Sequence, residues 1–362
     1  METTAPGGIN KVVAEIGEIL ANQRHEIVVL QPNPLNLPTK EVYKNFEIIR
    51  VKSKIGDLLY GLSPEIFFYL KKHFKKLNPD LIHVHGYGSL FLPEVIYIIK
   101  KNYPKMQIVF SPHFDIYSHD TFAGRYLWNI YNQLIGKKAM QFSNKIIAAS
   151  EFEANNIINI LGVSKEKVEV IPHGINIEDF KKKKRNSNTI RLLSAGYLFK
   201  LKGIQYVIKS LHELIYTMNV KAELTIVGKG PYEKKLKKLA VKSKVDEFIN
   251  WRGFIPQNEL INEFKTNDIF FLLSESENYG IVVAEALACG TPAIVTRRTA
   301  LEEFIKEPGC FGVDYPPNPK EVANLILKIV NSDVKVGSFS KKIRKWDKVV
   351  KDYEKIYLDI LT

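Results

Sequence analysis

The fold class is indicated most clearly by the stretch DIFFLLSESENYGIVVAEALACGTPAIVT, residues 268–296. An apolar run of strand length leads into a polar turn with a glycine, then into an apolar helical segment and a second short apolar run. This order predicts a βαβ unit of a parallel sheet. Glu277 in the turn and Glu285 in the helix are costly in such surroundings unless a partner pairs with them. A hydroxyl-rich ligand would be such a partner.

The same alternation continues along the chain in two series. The predicted strands of the first series are HEIVVL (25–30), PDLIHVH (79–85), QIVFS (107–111), KIIAAS (145–150) and KVEVIP (167–172). Those of the second are residues 190–196, 222–228, 247–253, 268–274 and 291–296. Helical stretches are predicted at 9–23, 64–77, 151–162, 202–216 and 231–243. Strands that alternate with helices predict parallel sheets covered on both faces, here in two doubly wound domains joined near residues 176–190.

The domains are expected at residues 1–180 and 181–338, followed by a terminal helix at 339–362. That helix is expected to pack back across both domains. Its apolar and aromatic residues recur at helical spacing: Ile343, Trp346, Val350, Tyr353 and Tyr357. A doubly wound domain normally opens with a strand that runs into its first glycine turn. Because APGGI arrives at residue 5 without one, a central strand of the first sheet is expected to be missing.

Composition indicates a globular protein, with 45% hydrophobic and 25% charged residues over 362 positions. No window approaches the roughly 18 apolar residues of a membrane span, and the start lacks the features of a signal peptide. Cys289 and Cys310 are too few for a disulfide framework and are expected to be reduced. These features favour a cytoplasmic protein.

The net charge of +13 is spread along the chain, with +6 in residues 1–184 and +7 in the remainder. It therefore singles out no nucleic-acid-binding domain, but it suits an anionic partner such as a lipid phosphate or a sugar nucleotide. The densest basic cluster, Lys181–Arg185, is either a solvated linker or a membrane contact. The amphipathic 64–77 segment is a second candidate for an anionic lipid surface, with lysines at positions 71, 72, 75 and 76.

Ligands of open α/β sheets bind beyond the carboxyl ends of the strands, so the loops there are the candidate sites. Glu277 and Glu285 are suited to accept hydrogen bonds from two separate diols. The amides of Asn278 to Ile281, at the start of a helix, suit an anion or a sugar hydroxyl. The alternative is a pair of capping or ion-paired glutamates. Ligand binding as proposed requires that neither carboxylate is already neutralised by a basic neighbour.

Three further loops contain candidates. Gly7-Gly8 opens a helix and would let amides approach a phosphate, although a plain turn explains it as well. Lys202 precedes a helix start, where a cation is unfavourable unless an anion lies between, and a solvated lysine is the alternative. Among the histidines after predicted strands, His113 lies in a loop and is either functional or structural. No His or Cys spacing is typical of zinc.

Taken in order, the motifs resemble those of the family 4 glycosyltransferases, retaining enzymes of the GT-B fold. Glu277 and Glu285 match the E-x7-E signature. The other matching segments are PGGINKV, RHEIVVL, PDLIHVHG, SPH, AASE, IPHGIN, SAGYLFKLKG, IVGKGP, RGFIP, DIFFLLSESENYG and WDKVVKDYEKIYLDIL. The resemblance implies two Rossmann-like domains that face each other across a cleft, with the terminal helix crossing back to the first.

The resemblance also implies roles for individual residues. Glu285 is expected to bind the ribose diol of a nucleotide, Glu277 hydroxyls of the donor sugar, and Lys202 the diphosphate. His113 matches a histidine near the anomeric centre and, with Lys202 and Glu277, forms the expected catalytic set. The remaining expected donor contacts are Gly8, Tyr197, Phe254, Ile255, Asn278, Tyr279, Gly280 and Ile281. No metal or other cofactor is expected.

One position departs from the family pattern. Tyr197 follows Gly196 where the family commonly has an arginine that contacts phosphate, and loss of that cation weakens transition-state stabilisation. Arg297 and Arg298 are substitutes only if they fold towards the cleft.

The function that the sequence indicates is transfer of a hexosyl unit from a nucleotide diphosphate sugar to an acceptor hydroxyl. The donor site is expected mainly in the second domain and the acceptor surface in the first, with the protein cytoplasmic or peripheral on a membrane. A nucleotide-sugar epimerase of the same fold and a non-catalytic nucleotide-sugar-binding protein are the alternatives. The sugar, the base, the acceptor and the oligomeric state are left open.

Overall fold

The computed structural model describes residues 8–33, 37–52, 64–87, 91–114, 122–177, 188–337 and 339–362. Gly7 and the cluster Lys181–Arg185 lie outside these ranges, as does the expected position of a strand before Gly8. The chain forms two compact units, one of Met1–Gly174 with Trp346–Thr362 and one of Ile175–Lys345.

Unit 1 contains two sheets and the helices that cover them. Its strands are β1 (Val28–Pro32), β2 (Lys40–Tyr43), β3 (Phe46–Val51), β4 (Leu81–His85), β5 (Gln107–Ser111), β6 (Lys145–Ala148) and β7 (Val168–Val170). Its helices are α1 (Gly8–Asn22), α2 (Pro64–Leu77), α3 (Phe91–Asn102), α4 (Phe122–Tyr131), α5 (Lys137–Phe142) and α6 (Glu151–Leu161). A π turn, Asn132–Gly136, joins α4 to α5 without a break.

The sheets of unit 1 differ in direction. Strands β4-β5-β6-β7 lie side by side in chain order and all run parallel, as the Ile- and Val-rich runs predict. Strand β3 pairs parallel with β1 and antiparallel with β2 in a separate sheet. No strand among the described residues joins the two sheets.

Unit 2 is built on one parallel sheet of six strands. These are β9 (Ile190–Ala195), β10 (Ala222–Val227), β11 (Ile249–Gly253), β12 (Ile269–Leu272), β13 (Ala293–Thr296) and β14 (Cys310–Val313). Two short strands, β8 (Gly174–Ile175) and β15 (Arg344–Lys345), pair with each other. The helices are α7 (Ile204–His212), α8 (Glu233–Lys242), α9 (Gln257–Thr266), α10 (Ile281–Ala288) and α11 (Pro319–Val330).

The order of the unit 2 strands is β11-β10-β9-β12-β13-β14. The chain therefore runs outward from β9 in one direction, returns to its other side at β12, and runs outward again. A doubly wound sheet has its ligand crevice at such a switch point, beyond the carboxyl ends of the two central strands. Here those strands are β9 and β12, which pair from Ile269↔Leu192 to Phe271↔Ser194.

The last helix, α12 (Trp346–Leu361), belongs to unit 1. It buries Trp346, Val349, Val350 and Tyr353 and packs against α1 and β5. The helical spacing seen in the sequence thus marks its buried face. Within the described ranges, no helix is long and apolar enough to cross a membrane.

Candidate active site

The loops after β9 and β12 meet at the switch point of unit 2. Their backbones are bonded directly, because the Glu275 N–H donates to the Leu201 carbonyl at 2.8 Å. Gly203, at φ 73°, is the N-cap of α7, and a Cβ added there would lie 1.9 Å from the Leu273 carbonyl oxygen. Only glycine permits this approach. The close backbone contact places Lys202 beside the loop that carries Glu277.

Lys202 and Glu277 form an ion pair at this junction. Both side chains are largely buried, and the Ser274 hydroxyl also donates to Glu277 Oε1 at 3.0 Å. The expectation that Glu277 would be free of a basic partner is therefore wrong. Two half-buried groups of opposite charge on adjoining loops stabilise each other, and together they present an ammonium and a carboxylate side by side.

Glu285 is almost fully buried, at 1% exposure, within α10. The Gln257 side-chain amide donates to Glu285 Oε1 at 2.9 Å. Gln257 is the first residue of α9 and follows the β11 loop, where the Phe254 side chain is 62% exposed and Ile255 is buried. The structure thus brings together the loop expected to flank the base and the carboxylate expected to bind the ribose. The motifs gave no sign of Gln257.

The loop between β12 and α10 is held from several sides. The Ala300 N–H donates to the Glu277 carbonyl at 3.1 Å, and the Thr296 hydroxyl donates to the Ser274 carbonyl. Gly280 is the N-cap of α10 at φ 95°, where an added Cβ would lie 2.5 Å from Leu301 Cδ2. No side chain at the cap position accepts from the first amides of α10, so the helix start suits an anion.

The Tyr279 side chain has a structural role in this loop. It is buried, and its hydroxyl donates to the Lys342 carbonyl at 2.6 Å. The Lys342 ammonium lies 5.0 Å from the centre of the Tyr279 ring and forms an ion pair with Glu303. These contacts fix the backbone of residues 278–280, the part expected to reach a ligand.

Tyr197 and the arginines proposed to replace the family cation have different surroundings. Tyr197 is 44% exposed, and its ring centre lies 4.5 Å from that of Phe199. The Arg297 guanidinium donates to the Gly312 carbonyl on edge strand β14 and approaches Asp314 at 3.7 Å. Arg297 is therefore engaged with the edge strand.

In unit 1, four histidines follow one another in ring contact: His83, His85, His113 and His173. The ring centres of His85 and His113 are 5.8 Å apart, and those of His113 and His173 are 5.5 Å apart. Burial lowers the pKa of His113 to about 4, so its imidazole is neutral at pH 7. A neutral imidazole donates at one nitrogen and accepts at the other.

Glu153, buried in α6, holds the loop of His113 in place. Its carboxylate accepts from the Phe114 N–H at 2.6 Å and the Ala149 N–H at 2.8 Å. Ser150 caps the same helix by accepting from the Glu153 N–H. The Ser-x-x-Glu spacing of a capping box was a sequence signal for this arrangement. These bonds support the left-handed φ of 52° at His113.

Gly8 is the exposed first residue of α1, and an added Cβ would meet nothing within 4 Å. Gly8 and His113 belong to unit 1, whereas Lys202, Glu277 and Glu285 belong to unit 2. Cys289 and Cys310 are buried thiols that do not form a disulfide with each other. In the part of the chain that is described, no three His, Cys, Asp or Glu side chains are grouped to hold a metal ion.

Comparison with known families accounts for both units. The model of "Glycosyltransferase Family 4" matches residues 6–179, and that of "Glycosyl transferases group 1" matches residues 176–346. The chain belongs to the family 4 glycosyltransferases of the GT-B fold. The predicted family and fold are thereby confirmed.

A curated relative matches nearly the whole chain, and solved structures share its fold. The chain is 25% identical over 384 residues to alpha-monoglucosyldiacylglycerol synthase of Acholeplasma laidlawii, covering 98% of this chain and 94% of that protein. Sucrose-phosphate synthase of Thermosynechococcus elongatus has a TM-score of 0.83 at 18% identity, over 98% and 94% of the two chains. Anabaena Alr3699/HepE in complex with UDP-glucose has a TM-score of 0.67 at 16% identity, over 99% and 94%.

Proposed function

We propose that this glycosyltransferase moves a hexosyl unit from a nucleotide diphosphate sugar to an acceptor hydroxyl with retention of anomeric configuration. The observation that carries the proposal is the convergence of Lys202, Glu277 and the start of α10 at the β9–β12 switch point, with Glu285 one turn further along α10. A protein of the same fold has been solved with UDP-glucose, which supports the donor class.

Each of these groups matches one part of such a donor. The buried Glu285 carboxylate accepts from a ribose diol, and the Gln257 amide bonded to it orients the carboxylate. Lys202 and the first amides of α10 stabilise the charge that develops on the departing diphosphate. Glu277 then accepts from hydroxyls of the sugar. The condition that neither carboxylate be paired is not met at Glu277, so the proposal requires instead that binding exchanges part of the Lys202–Glu277 pair for contacts to the donor.

His113 of unit 1 would act as a neutral group. Because burial lowers its pKa to about 4, it can offer a hydrogen bond near neutral pH without adding a charge. We propose no metal ion for the reaction, and activity is expected to persist when EDTA is added.

The acceptor class that we favour is a hydroxyl of a lipid-linked compound. A relative that covers nearly the whole chain is named for a monoglucosyldiacylglycerol product. Such an acceptor would place the enzyme at the cytoplasmic face of a membrane, where the exposed lysines of α2 face anionic headgroups.

A donor and acceptor screen tests the proposal. Purified protein is incubated with UDP-, GDP- and ADP-hexoses, with and without diacylglycerol and glycan acceptors, and products are followed by mass spectrometry and NMR of the anomeric proton. Transfer with retention is expected. Donor turnover without an acceptor would instead indicate an epimerase, and binding without turnover on any acceptor a non-catalytic protein.

A further inference from the structure

The surface of unit 1 carries an exposed apolar strip that the motifs do not explain. It lies on the continuous helical run of α4, the π turn and α5. Leu127 is 63% exposed and Leu134 is 60% exposed. The strip, called the apolar ridge below, consists of Tyr126, Leu127, Ile130, Leu134 and Ile135, all exposed. Tyr126, Ile130 and Leu134 recur at spacings of four residues, which place side chains on one face of a helix.

The opposite face of this run is fixed to the core. The Tyr131 hydroxyl donates to the Tyr87 carbonyl at 3.1 Å, and the Tyr87 hydroxyl donates to Asn132 at 2.8 Å. A Cβ added at Gly136 would lie 1.6 Å from the Tyr87 hydroxyl oxygen, so only glycine lets the π turn approach so closely. The ridge is therefore held outward by specific inner contacts.

Exposed lysines lie on α5 and on the neighbouring helices α3 and α2. Helix α3 packs against α2 on one side and α5 on the other, and the rings of Tyr97 and Phe142 lie 6.1 Å apart across α3 and α5. The exposed basic residues of these helices are the lysines at positions 71, 72, 75, 76, 101 and 138, and residues 64–77, 91–102 and 122–142 contain only two acidic residues. This surface is complementary to an anionic partner.

Helix α2 and the ridge contribute different properties to this surface. The apolar residues Ile66, Leu70 and Phe74 of α2 are buried in the core, whereas the four lysines of α2 are exposed. Helix α2 therefore supplies mainly charge, with Phe68 as its exposed aromatic residue. The exposed apolar area lies on the ridge.

We propose that the apolar ridge inserts into the interfacial region of an anionic lipid bilayer while the neighbouring lysines contact the headgroup phosphates. Apolar burial in the interface combined with attraction of basic residues to anionic lipid is the general mode of peripheral membrane binding. A second copy of the chain is a less suitable occupant, because two such basic surfaces repel each other. This inference does not depend on the proposed transfer reaction.

Vesicle flotation tests the ridge directly. The full chain is mixed with vesicles of phosphatidylcholine alone or with one third phosphatidylglycerol. The unmodified protein is expected to float with the anionic vesicles. Leu127→Ser combined with Leu134→Ser is expected to lower the partition coefficient by more than about tenfold. Leu358→Ser with Leu361→Ser, two exposed leucines of α12, is the matched control and is expected to float like the unmodified protein.

Three outcomes would overturn the inference: no binding of the unmodified protein to anionic vesicles, equal binding of ridge and control variants, or a dimer in analytical ultracentrifugation that only the ridge variant abolishes. Thermal unfolding and UDP-glucose binding are measured on each variant. If both are unchanged while flotation is lost, the defect lies at the membrane surface and leaves the proposed function standing.

Discussion

At the scale of single residues, the two glutamates of the signature are held in different ways. Glu277 pairs with a cation from the neighbouring loop, whereas Glu285 accepts from the neutral amide of Gln257. A donor that reaches Glu277 must compete with Lys202, but that competition leaves the ammonium available for phosphate. Both members of the ion pair thus lie at the junction where we propose that a sugar diphosphate binds.

Replacing Lys202 tests its part in the chemistry. Lys202→Gln removes the cation that we propose faces the departing diphosphate, and kcat is expected to fall by roughly 10²–10³-fold, with a smaller change in KM. The matched control is Lys200→Gln, an exposed lysine of the same short turn, which should retain nearly full activity. The measurement is steady-state kinetics with the best donor. Equal kcat values for the two variants would contradict the role proposed for Lys202.

Tyr279→Phe tests how the buried Tyr279 side chain stabilises the loop between β12 and α10. The variant loses the hydrogen bond to the Lys342 carbonyl, and the free energy of unfolding is expected to fall by about 1–2 kcal/mol because a buried acceptor is left unpaired. Tyr216→Phe removes the same type of bond, to the Lys244 carbonyl, at an exposed site. Urea unfolding should show the smaller loss for Tyr216→Phe, and the reverse order would count against this view of Tyr279.

At the scale of elements, the site depends on the close approach of the loops after β9 and β12. Gly203 permits this approach, since its Cβ position is occupied by the Leu273 carbonyl. The hydrogen bond from Glu275 to Leu201 then fixes the register between the loops. The sheet order makes these loops neighbours, and the glycine lets them touch.

Gly203→Ala is expected to lower the stability by at least about 2 kcal/mol, because the added methyl group meets backbone and the residue keeps a positive φ. Gly8→Ala provides the comparison, since an added Cβ there meets nothing within 4 Å. Thermal unfolding midpoints should separate the two variants clearly. Similar midpoints would show that the loops do not need this contact.

Sequence patterns predicted the regular elements well where burial is two-sided. The predicted ranges for β5 and α2 match the structure to the residue, and the start of α10 at Ile281 was expected. The hairpin of β2 and β3 was missed. Its turn at Lys44-Asn45 has positive φ at both positions, as type I′ turns require. Because neither position is a glycine, the sequence gave little indication of this turn.

The site was predicted less completely, for a physical reason. The strand-end loops and most candidate residues could be read from motifs, but the Lys202–Glu277 pair, the Gln257–Glu285 bond and the support by Glu153 join residues distant in sequence. Periodicity and spacing report the face of an element and do not report which side chains meet across elements. The apolar ridge was missed likewise, because only packing shows which face of α4 is buried.

At the scale of the whole molecule, each unit has a hydrophobic core of its own. Unit 1 also contains the row of four histidines in ring contact. Burial lowers the pKa of His83 to about 3 and that of His113 to about 4, and the pKa of His85 is lowered as well. The folded state therefore binds these protons less readily than the unfolded chain.

Acid should destabilise unit 1 on this basis. A histidine that stays neutral in the folded state contributes fully to the free energy of unfolding above pH about 6.5. This contribution is lost as the pH falls towards 4, because the unfolded chain takes up protons first. For His113 alone the loss amounts to about 3 kcal/mol. Unfolding midpoints between pH 7.5 and 4.5 should fall less steeply in His113→Gln than in the unmodified protein. Parallel curves would rule out this contribution.

The most direct test of the central claim, a nucleotide-sugar site at the β9–β12 switch point, is calorimetric titration of UDP-, GDP- and ADP-hexoses into three proteins. The unmodified protein is expected to bind at least one of them at one site per chain. Glu285→Gln should weaken that binding by about 10–100-fold, whereas Glu321→Gln, an exposed glutamate of α11, should leave it unchanged. Absence of binding by the unmodified protein, or equal affinity in the two variants, would contradict the claim.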